Sequence, residues 1–206
     1  VSELEGKNIW ILGACGRLGS LICEELKSRS LKYKTITREF NLENLTKHDL
    51  IVDVSSPEGT RTLLEKLESI KIYPKIIIGT TGQLPQQLIN EYPGEIIVKS
   101  NFSEGVPLVL SFLDSFDKNI WKTITIKDFH HQNKKDSPSG TAKSITKRLE
   151  SNGLHDIKIE SYREGDVIGI HVIEIENDVE SITIMHEAKD RKIFAVGCVN
   201  LICKMI

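Results

Sequence analysis

Short apolar runs that alternate with amphipathic stretches dominate the first half of the chain. Apolar runs at residues 8–12, 49–54 and 75–78 predict β-strands, and further strands are predicted at residues 33–37 and 95–99. Apolar side chains at helical spacing follow the first run, at Leu18, Leu21, Ile22 and Leu26. Alternating strands and helices are typical of an open parallel sheet, in which ligands bind beyond the carboxyl ends of the strands.

The pattern changes after Asn101. A helical segment at residues 106–116 is followed by stretches in which apolar and polar positions alternate: 121–129, 157–162, 167–176 and 180–186. This period of two predicts half-buried strands of a mixed or antiparallel sheet, instead of further strand–helix–strand units, with a hairpin turn at residues 176–178. A short final helix is predicted at residues 194–205.

Three glycines lie between the first predicted strand and the first helix. We expect Gly13 to make the tight turn, Gly16 to let the backbone approach a pyrophosphate, and Gly19 to let the helix pack close to the strand. Any tight strand-to-helix turn can carry such a pattern, but its position at the very first strand favours a dinucleotide site. The chain is therefore predicted to be α/β, with an N-terminal Rossmann-like parallel-sheet domain at residues 1–100 and a C-terminal α+β domain with a mixed sheet at residues 101–206. The terminal helix at about 194–206 is expected to pack back on the first domain.

The end of the second strand bears on the choice of cofactor. If Thr37 occupies the place of the acidic residue that binds the ribose hydroxyls in NAD sites, Arg38 supplies charge for a 2′-phosphate and NADPH is predicted. If Glu39 is the equivalent residue, NADH fits the sequence equally well. An exposed arginine at a strand end, without a role in binding, is the structural alternative.

Residues 130–142 read His-His-Gln-Asn-Lys-Lys-Asp-Ser-Pro-Ser-Gly-Thr-Ala. Imidazole exchanges protons near neutral pH, and the ammonium of Lys134 can donate a proton or hold a carboxylate. Ser139 or Thr141 can cap a helix at about residues 142–151, whose first N–H groups attract anions. This pattern predicts an active site for a dianionic substrate.

The same segment is compatible with a purely structural role. The two histidines and the polar loop could form a solvated turn before a capped helix. A metal site is less favoured, because adjacent residues on a strand point to opposite faces and no Cys or carboxylate has the usual ligand spacing. No metal is therefore predicted.

Composition narrows the class of protein. The 206 residues are 27% charged and 39% hydrophobic with a net charge of -2, so neither nucleic acid nor a membrane surface is an expected partner. The four cysteines form no CxxC pair and are interpreted as small buried side chains: Cys15, Cys23, Cys198 and Cys203. Because there is neither a signal-peptide pattern nor a membrane-length apolar run, a reducing cytoplasm is expected.

On these motifs, the chain resembles the 4-hydroxy-tetrahydrodipicolinate reductase (dihydrodipicolinate reductase) family of the diaminopimelate route to lysine. The matching stretches occur in the family's order and span nearly the whole chain: residues 13–19, 79–82, 101–106, 130–142, 163–171 and 186–197. The pattern His-His-x-x-Lys-x-Asp-x-Pro-Ser-Gly-Thr-Ala is the most specific of them.

The resemblance implies reduction of 4-hydroxy-tetrahydrodipicolinate with NADPH, the expected preference, or NADH. It implies that His130 is the acid/base residue and Lys134 the proton donor, and that four residues hold the substrate carboxylates: His131, Lys134, Gly140 and Thr141. Thirteen residues would contact the dinucleotide besides Thr37 and Arg38: Gly13, Ala14, Cys15, Gly16, Arg17, Leu18, Gly79, Thr80, Thr81, Ser100, Asn101, Phe102 and Ser103. The second domain would bind substrate and build a homotetramer through its sheet.

The chain departs from the family in several places. It is shorter than typical members, notably at residues 39–49 and next to Arg163, and carries Asp128 where members commonly have Glu. These differences bear on closure over substrate and on packing of the nucleotide domain. Two alternative functions are compatible with the sequence: a relative that reduces another cyclic imine or enamine dicarboxylate, and a dinucleotide-binding sensor without turnover. Substrate profiling separates the first, and NADPH binding without a rate identifies the second.

Overall fold

A computed structural model describes residues 8–117 and 119–206 of the chain. The chain divides into two compact units. Unit 1 contains the described residues up to Phe102 together with Phe194–Ile206, and unit 2 contains Ser103–Ile193. Among the described residues, no helix has the length and apolar character needed to cross a bilayer.

Unit 1 is built on a parallel sheet of five strands in the order β2-β1-β3-β4-β5. The strands are β1 (Ile9–Leu12), β2 (Tyr33–Ile36), β3 (Leu50–Asp53), β4 (Lys75–Ile78) and β5 (Ile96–Val98). The helices that follow β1, β3 and β4 are α1 (Arg17–Ser28), α2 (Pro57–Ile70) and α3 (Gln86–Glu91). Because every pair is parallel, the carboxyl ends of all five strands meet at one edge of the sheet.

The central strands β1, β3 and β4 are short and almost entirely apolar because both faces of the sheet are covered there, whereas the edge strand β2 has two exposed polar residues. On one face Ile11 and Val52 pack with residues of α1 and of the last helix, α6 (Lys192–Met205), including Cys198. On the other face Trp10 packs with apolar residues of α2, including Leu67. Helix α6 thus belongs to the core of unit 1, and Phe102, which is 3% exposed, lies in the same cluster.

Unit 2 is built on a mixed sheet of four strands in the order β7-β6-β8-β9. The elements of this unit are α4 (Gly105–Leu113), β6 (Thr123–His130), α5 (Gly140–Ser151), β7 (Ile157–Arg163), β8 (Ile170–Glu176) and β9 (Ser181–Glu187). Strands β6 and β7 are parallel and connected through α5, whereas the pairs β6–β8 and β8–β9 are antiparallel. The prediction that this half contains no strand–helix–strand unit was therefore wrong, because β6, α5 and β7 form one.

The side of the unit 2 sheet that faces α4 and α5, here the inner face, has an apolar and a polar part. Alternation along β6 directs Ile124 and Ile126 into an apolar cluster with residues of both helices. The same alternation places Asp128 and His130, farther along β6, on the same face. His171 of β8 lies directly opposite Asp128. The inner face therefore ends in a group of buried polar side chains.

Several sequence-based boundaries need correction. Strand β8 begins at Ile170, later than predicted, and α4 ends at Leu113. Helix α3 was not predicted, because it is six residues long and none of its residues is buried, which leaves no apolar periodicity to detect. All four cysteines are free, but Cys15 and Cys203 are exposed, so their interpretation as buried side chains was wrong.

Candidate active site

Glycine is required at one position in the turn between β1 and α1 and at one position in the first turn of α1. Gly13 has a φ of +88°, and a Cβ there would lie 2.6 Å from the carbonyl oxygen of Val54. A Cβ on Gly19 would lie 2.0 Å from the carbonyl oxygen of Gly13. The remaining predicted cofactor residues of this segment occupy the turn and the start of α1: Ala14, Cys15, Gly16, Arg17 and Leu18. The turn brings the N-terminus of α1 close to the end of β1, the geometry that binds a pyrophosphate.

A buried carboxylate organises the loops that follow β3 and β4. Asp53 is 0% exposed and accepts hydrogen bonds from the backbone N–H of Ser55 and from the hydroxyls of Ser55, Thr60 and Thr80. Thr80 in turn accepts a hydrogen bond from the N–H of Ser55, with 2.9 Å between nitrogen and oxygen. These contacts fix the loop after β4 that contains Gly79, Thr80 and Thr81.

The other predicted cofactor residues lie in several environments. Thr37 and Arg38 are exposed directly after β2. Ser100 and Asn101 follow β5 in unit 1. The side chain of Phe102 packs in the core of unit 1, where a Cβ on Gly79 would lie 2.5 Å from its ring. Ser103 is a buried residue of unit 2.

In unit 2, Ser139 caps the helix that opens at Gly140. The Ser139 hydroxyl accepts a hydrogen bond from the N–H of Ala142 at 3.1 Å, and the Ser139 N–H donates to Asp128 Oδ2 at 2.9 Å. Thr141 follows in the first turn of α5 and is buried. Strand β6 and the N-terminus of α5 are thus held together by one carboxylate.

Asp128 is fully buried and surrounded by donors. Its Oδ2 accepts hydrogen bonds from Ser161 and from the guanidinium of Arg163, and its Oδ1 lies 3.0 Å from His130 Nδ1. Burial alone would raise the pKa of Asp128, but contacts with His130 and Ser139 outweigh it and hold the pKa well below its usual range. Asp128 is therefore an anion at neutral pH, placed beside one ring nitrogen of His130.

The guanidinium of Arg163 connects Asp128 to the loop that carries Lys134. It donates to the backbone oxygen of Asp136 at 2.8 Å as well as to Asp128. Lys134 Nζ lies 2.7 Å from Asp136 Oδ1, and its side chain is 22% exposed. His131 is half-buried, and its backbone oxygen accepts from the Lys134 N–H. The structure thus places His130, His131, Lys134, Gly140 and Thr141 in one unit, around the end of β6 and the start of α5.

The carboxylate of Asp128 and two histidines lie close enough together to be considered as ligands of one metal ion. Asp128, His130 and His171 each offer one ligand atom, and these atoms lie within 4.8 Å of one another. However, the Asp128 carboxylate already pairs with Arg163, so a dication would add charge to a buried site that is already compensated. We assign no metal to these residues, and the absence of a metal stays a prediction.

Comparison with known proteins identifies the family. The profile described as dihydrodipicolinate reductase, C-terminus, matches residues 105–206. A curated relative from Rickettsia rickettsii (strain Sheila Smith), called 4-hydroxy-tetrahydrodipicolinate reductase, is 33% identical over 226 residues, which cover 94% of this chain and 90% of the relative. A relative of the same name from Campylobacter jejuni is 34% identical over 225 residues, with the same coverage. The chain belongs to this reductase family.

Solved structures show the same fold. The dipicolinate-bound dihydrodipicolinate reductase from Paenisporosarcina sp. TG-14 superposes with a TM-score of 0.73 at 20% identity, covering 96% of this chain and 94% of that chain. Aspartate dehydrogenase from Thermotoga maritima gives a TM-score of 0.53 at 13% identity, with 96% of each chain covered. The resemblance seen in the sequence is thus confirmed at the level of family and fold.

Within this family member, three residues of the site were not singled out from the sequence. They are Arg163, His171 and His186, and Asp128 was noted only as a departure from the family. The period of two along β6 is a signal for Asp128, because it places this residue on the same face as His130. The other three residues lie on β7, β8 and β9, and the pairing of those strands cannot be read from one sequence.

His171 makes the free energy of unfolding depend on pH. Burial, with the neighbouring His130 as the second cause, lowers the pKa of His171 from 6.5 to about 4. The unfolded chain therefore binds a proton at a higher pH than the folded chain. The contribution of His171 to stability is fully present above 6.5 and is lost as the pH falls to about 4. We expect a loss of about 3 kcal/mol over this interval in urea denaturation followed by circular dichroism.

Two variants test whether His171 causes this pH dependence of the free energy of unfolding. His171→Gln should flatten much of the profile, whereas replacement of the exposed His155 by Gln should leave it unchanged. A wild-type free energy of unfolding that stays constant across the interval would contradict the buried neutral state of His171.

Proposed function

We propose that the chain catalyses the NAD(P)H-dependent reduction of 4-hydroxy-tetrahydrodipicolinate to tetrahydrodipicolinate, in the biosynthesis of diaminopimelate and lysine. The observation that carries the proposal is that buried Asp128 contacts both His130 and the Ser139 cap of α5, while Arg163 links it to the loop of Lys134. This arrangement occurs in a chain that covers 90% of a relative named for the same reaction. Proton donors beside an anion-binding helix end are the groups that reduction of a cyclic dicarboxylate needs.

Unit 1 would hold the dinucleotide. A Cβ on Gly13 or Gly19 would block the tight approach of α1 to β1, and the residues at the N-terminus of α1, where backbone N–H groups attract a pyrophosphate, are exposed. We propose that the pyrophosphate and ribose contacts come from residues 13–18, 37–38, 79–81 and 100–103. When bound, the nicotinamide supplies a hydride for carbon 4 of the substrate.

Unit 2 would hold the substrate and move the proton. The first turn of α5, with Gly140 and Thr141, would bind one carboxylate, and His131 and Lys134 would bind the other. Lys134 or His130 donates the proton with which the 4-hydroxyl leaves as water. Asp136, whose side chain is 51% exposed, holds Lys134 near this position before substrate enters. Asp128 keeps His130 oriented through the contact with its Nδ1, which leaves Nε2 for proton exchange.

The test of this function is oxidation of reduced nicotinamide by the purified chain. Substrate is made in place by the preceding synthase from pyruvate and aspartate semialdehyde, and NADPH and NADH are compared in parallel. Oxidation that depends on the synthase and both of its substrates supports the proposal and ranks the cofactors. If a preparation shown to bind NADPH gives no oxidation, the proposed reaction is wrong, and substrate profiling then decides between another cyclic dicarboxylate and a sensor.

NADPH is the proposed preference, and Arg38 provides its test. Replacing Arg38 with Ala should raise KM for NADPH by about tenfold, the scale of one charged contact to a phosphate, and leave KM for NADH nearly unchanged. The matched variant Glu39→Ala should act on NADH instead if Glu39 binds the ribose hydroxyls. Equal effects of Arg38→Ala on both cofactors would show that Arg38 does not contact the 2′-phosphate.

We also propose that the chain assembles as a homotetramer and is located in the cytoplasm. The outer face of the unit 2 sheet supports an assembly, because Phe129 and Tyr162 stack there at 4.6 Å and Val172 pairs with Met185, which is 57% exposed. Apolar side chains on an open sheet face favour contact with another subunit. The four free thiols agree with a reducing compartment.

A further inference from the structure

Two histidines of unit 2, the buried His171 and the half-buried His186, have no role in the reaction proposed above. His171 on β8 and His186 on β9 lie directly opposite each other, and their Nδ1 atoms are 3.4 Å apart. At one end of this pair, His186 Nε2 is 3.1 Å from the Ser103 hydroxyl. At the other end, His171 Nε2 is 3.4 Å from the Ser139 hydroxyl. We call the series Ser103, His186, His171 and Ser139 the histidine chain.

Both rings of the histidine chain are neutral at neutral pH. Burial lowers the pKa of His171 to about 4 and also lowers the pKa of His186. A neutral imidazole has one N–H and one acceptor nitrogen. The hydrogen bond between the two Nδ1 atoms therefore contains a single hydrogen, and the tautomer of one ring determines that of the other.

The surroundings of His171 Nε2 decide between the two tautomers. This nitrogen lies 3.5 Å from the anionic Oδ1 of Asp128, which favours a hydrogen on Nε2. The Ser139 hydroxyl oxygen accepts one hydrogen bond from the Ala142 N–H, and its second lone pair can accept another. The Ser139 oxygen is thus left as an acceptor for His171.

The tautomers of the whole chain follow from this assignment. His171 is protonated on Nε2 and accepts at Nδ1, so His186 is protonated on Nδ1. His186 Nε2 is then the acceptor for the Ser103 hydroxyl. Every nitrogen of both rings has one partner in this arrangement, and the reverse arrangement would direct the lone pair of His171 Nε2 at the Asp128 carboxylate.

The backbone packs more closely against the ring of His186 than against that of His171. A Cβ on Gly169 would lie 3.1 Å from His130 Nε2 and 3.7 Å from His171 Cε1. A Cβ on Gly105 would lie 2.9 Å from His186 Cδ2. The backbone therefore restricts the ring of His186, whereas His171 is held mainly by its hydrogen-bond partners.

We propose that His171 is a positioning residue for substrate binding: held as the Nε2–H tautomer by His186 and Ser103, it fixes Ser139 and with it the first turn of α5. The proposal rests on the proposed function, because it assumes that this turn binds a substrate carboxylate. His171 itself does not touch the substrate. It acts by keeping the capping hydroxyl, and hence the N–H groups of the first turn, in one geometry.

The tautomers are measured directly on the wild-type chain. Nitrogen-15 labelling of the six histidines gives a pair of ring resonances for each, and spectra of the His171→Gln and His186→Gln variants assign the two that matter. We expect His171 as the neutral Nε2–H form and His186 as the neutral Nδ1–H form near neutral pH. If His186 is instead the Nε2–H form, or if either ring is protonated, the proposal is wrong.

Steady-state kinetics compare two replacements of His171. The amide nitrogen of Gln lies near the position of Nε2 and can still donate to Ser139, whereas that of Asn lies near Nδ1 and cannot. His171→Asn should raise KM for the substrate about threefold to tenfold, the scale of one hydrogen bond, while kcat changes by less than about twofold. His171→Gln should restore KM to within about twofold of wild type, and the exposed control His155→Asn should have no effect.

The outcomes separate this proposal from the proposed function. Equal KM values for His171→Asn and His171→Gln, or a fall in kcat without a change in KM, would overturn the positioning role. If the wild type does not turn over the substrate at all, the proposed function fails and the positioning role fails with it. The tautomer assignment is decided independently by the nitrogen-15 spectra in either case.

Discussion

Replacing Lys134 with Ala is expected to lower kcat by about two orders of magnitude or more, the usual scale for the loss of a general acid. The Nζ of Lys134 is held by Asp136 at the surface of the site and lies in a loop that Arg163 anchors through the backbone of Asp136. Because the loop does not depend on the lysine side chain, the variant should fold normally. KM for the substrate should also rise, since the ammonium is proposed to bind a carboxylate.

Two further variants make this test specific. Lys134→Arg keeps the positive charge but is a poor proton donor at neutral pH, so it should recover KM and leave kcat low. Lys135→Ala removes the neighbouring exposed lysine and should behave as wild type. Steady-state rates with saturating NADPH give kcat and KM for the substrate for each variant. A Lys134→Ala variant with wild-type kcat would exclude Lys134 as the proton donor.

The second large effect is expected for Asp128→Asn, which should lower both kcat and the free energy of unfolding. The substitution keeps the shape of the side chain but leaves Arg163, whose side chain is 17% exposed, without its anionic partner. We expect a destabilisation of about 2 to 4 kcal/mol, the scale of a broken buried ion pair in which the remaining charge has some access to water. The carboxylate contact that orients His130 is lost as well, and kcat should fall about tenfold or more.

Urea denaturation and steady-state kinetics separate these two effects. The matched control is Glu65→Gln, which neutralises an exposed carboxylate on α2 and should change neither quantity. Asp128→Glu restores the charge and should recover part of kcat even where its extra methylene costs stability. An Asp128→Asn variant with wild-type stability and rate would show that the carboxylate is dispensable for both.

The effect of pH on Asp128 has a definite sign. Its folded pKa lies below that of the unfolded chain, so its contribution to stability is present above about pH 4 and decreases as the pH falls further. The contribution of His171 is lost in the range just above, between 6.5 and about 4. The two groups therefore affect stability in successive ranges of acid pH.

Local patterns were enough to predict the five strands of unit 1, although not its short helix α3. Strands β1, β3 and β4 are short apolar runs, and the turn is recognisable because the positive φ of Gly13 is one that residues with a side chain rarely adopt. The catalytic candidates were also visible, since His130, Lys134 and Ser139 lie within one segment of the chain. What they touch was not visible, because contacts such as that of Asp128 with Arg163 span 35 residues and depend on strand pairing.

The parallel pairing of β6 with β7 shows the limit of such prediction. Alternating polarity is common to parallel and antiparallel strands with one solvated face, so the pattern at residues 157–162 did not reveal the direction of β7. The exposure of Cys15 has a similar cause. Its neighbours in the glycine turn contain no periodic pattern that would tell which side chains face water.

The alternation along β6 has a consequence for how the molecule tolerates mutation. A shift of one residue in the pairing register of this strand would turn Ile124, Ile126, Asp128 and His130 together to the outer face. The apolar core of unit 2 would then be lost in the same event as the buried carboxylate and its histidine. Such a chain would be degraded by proteases as an unfolded protein. A register shift in this strand would therefore not leave a folded but inactive enzyme.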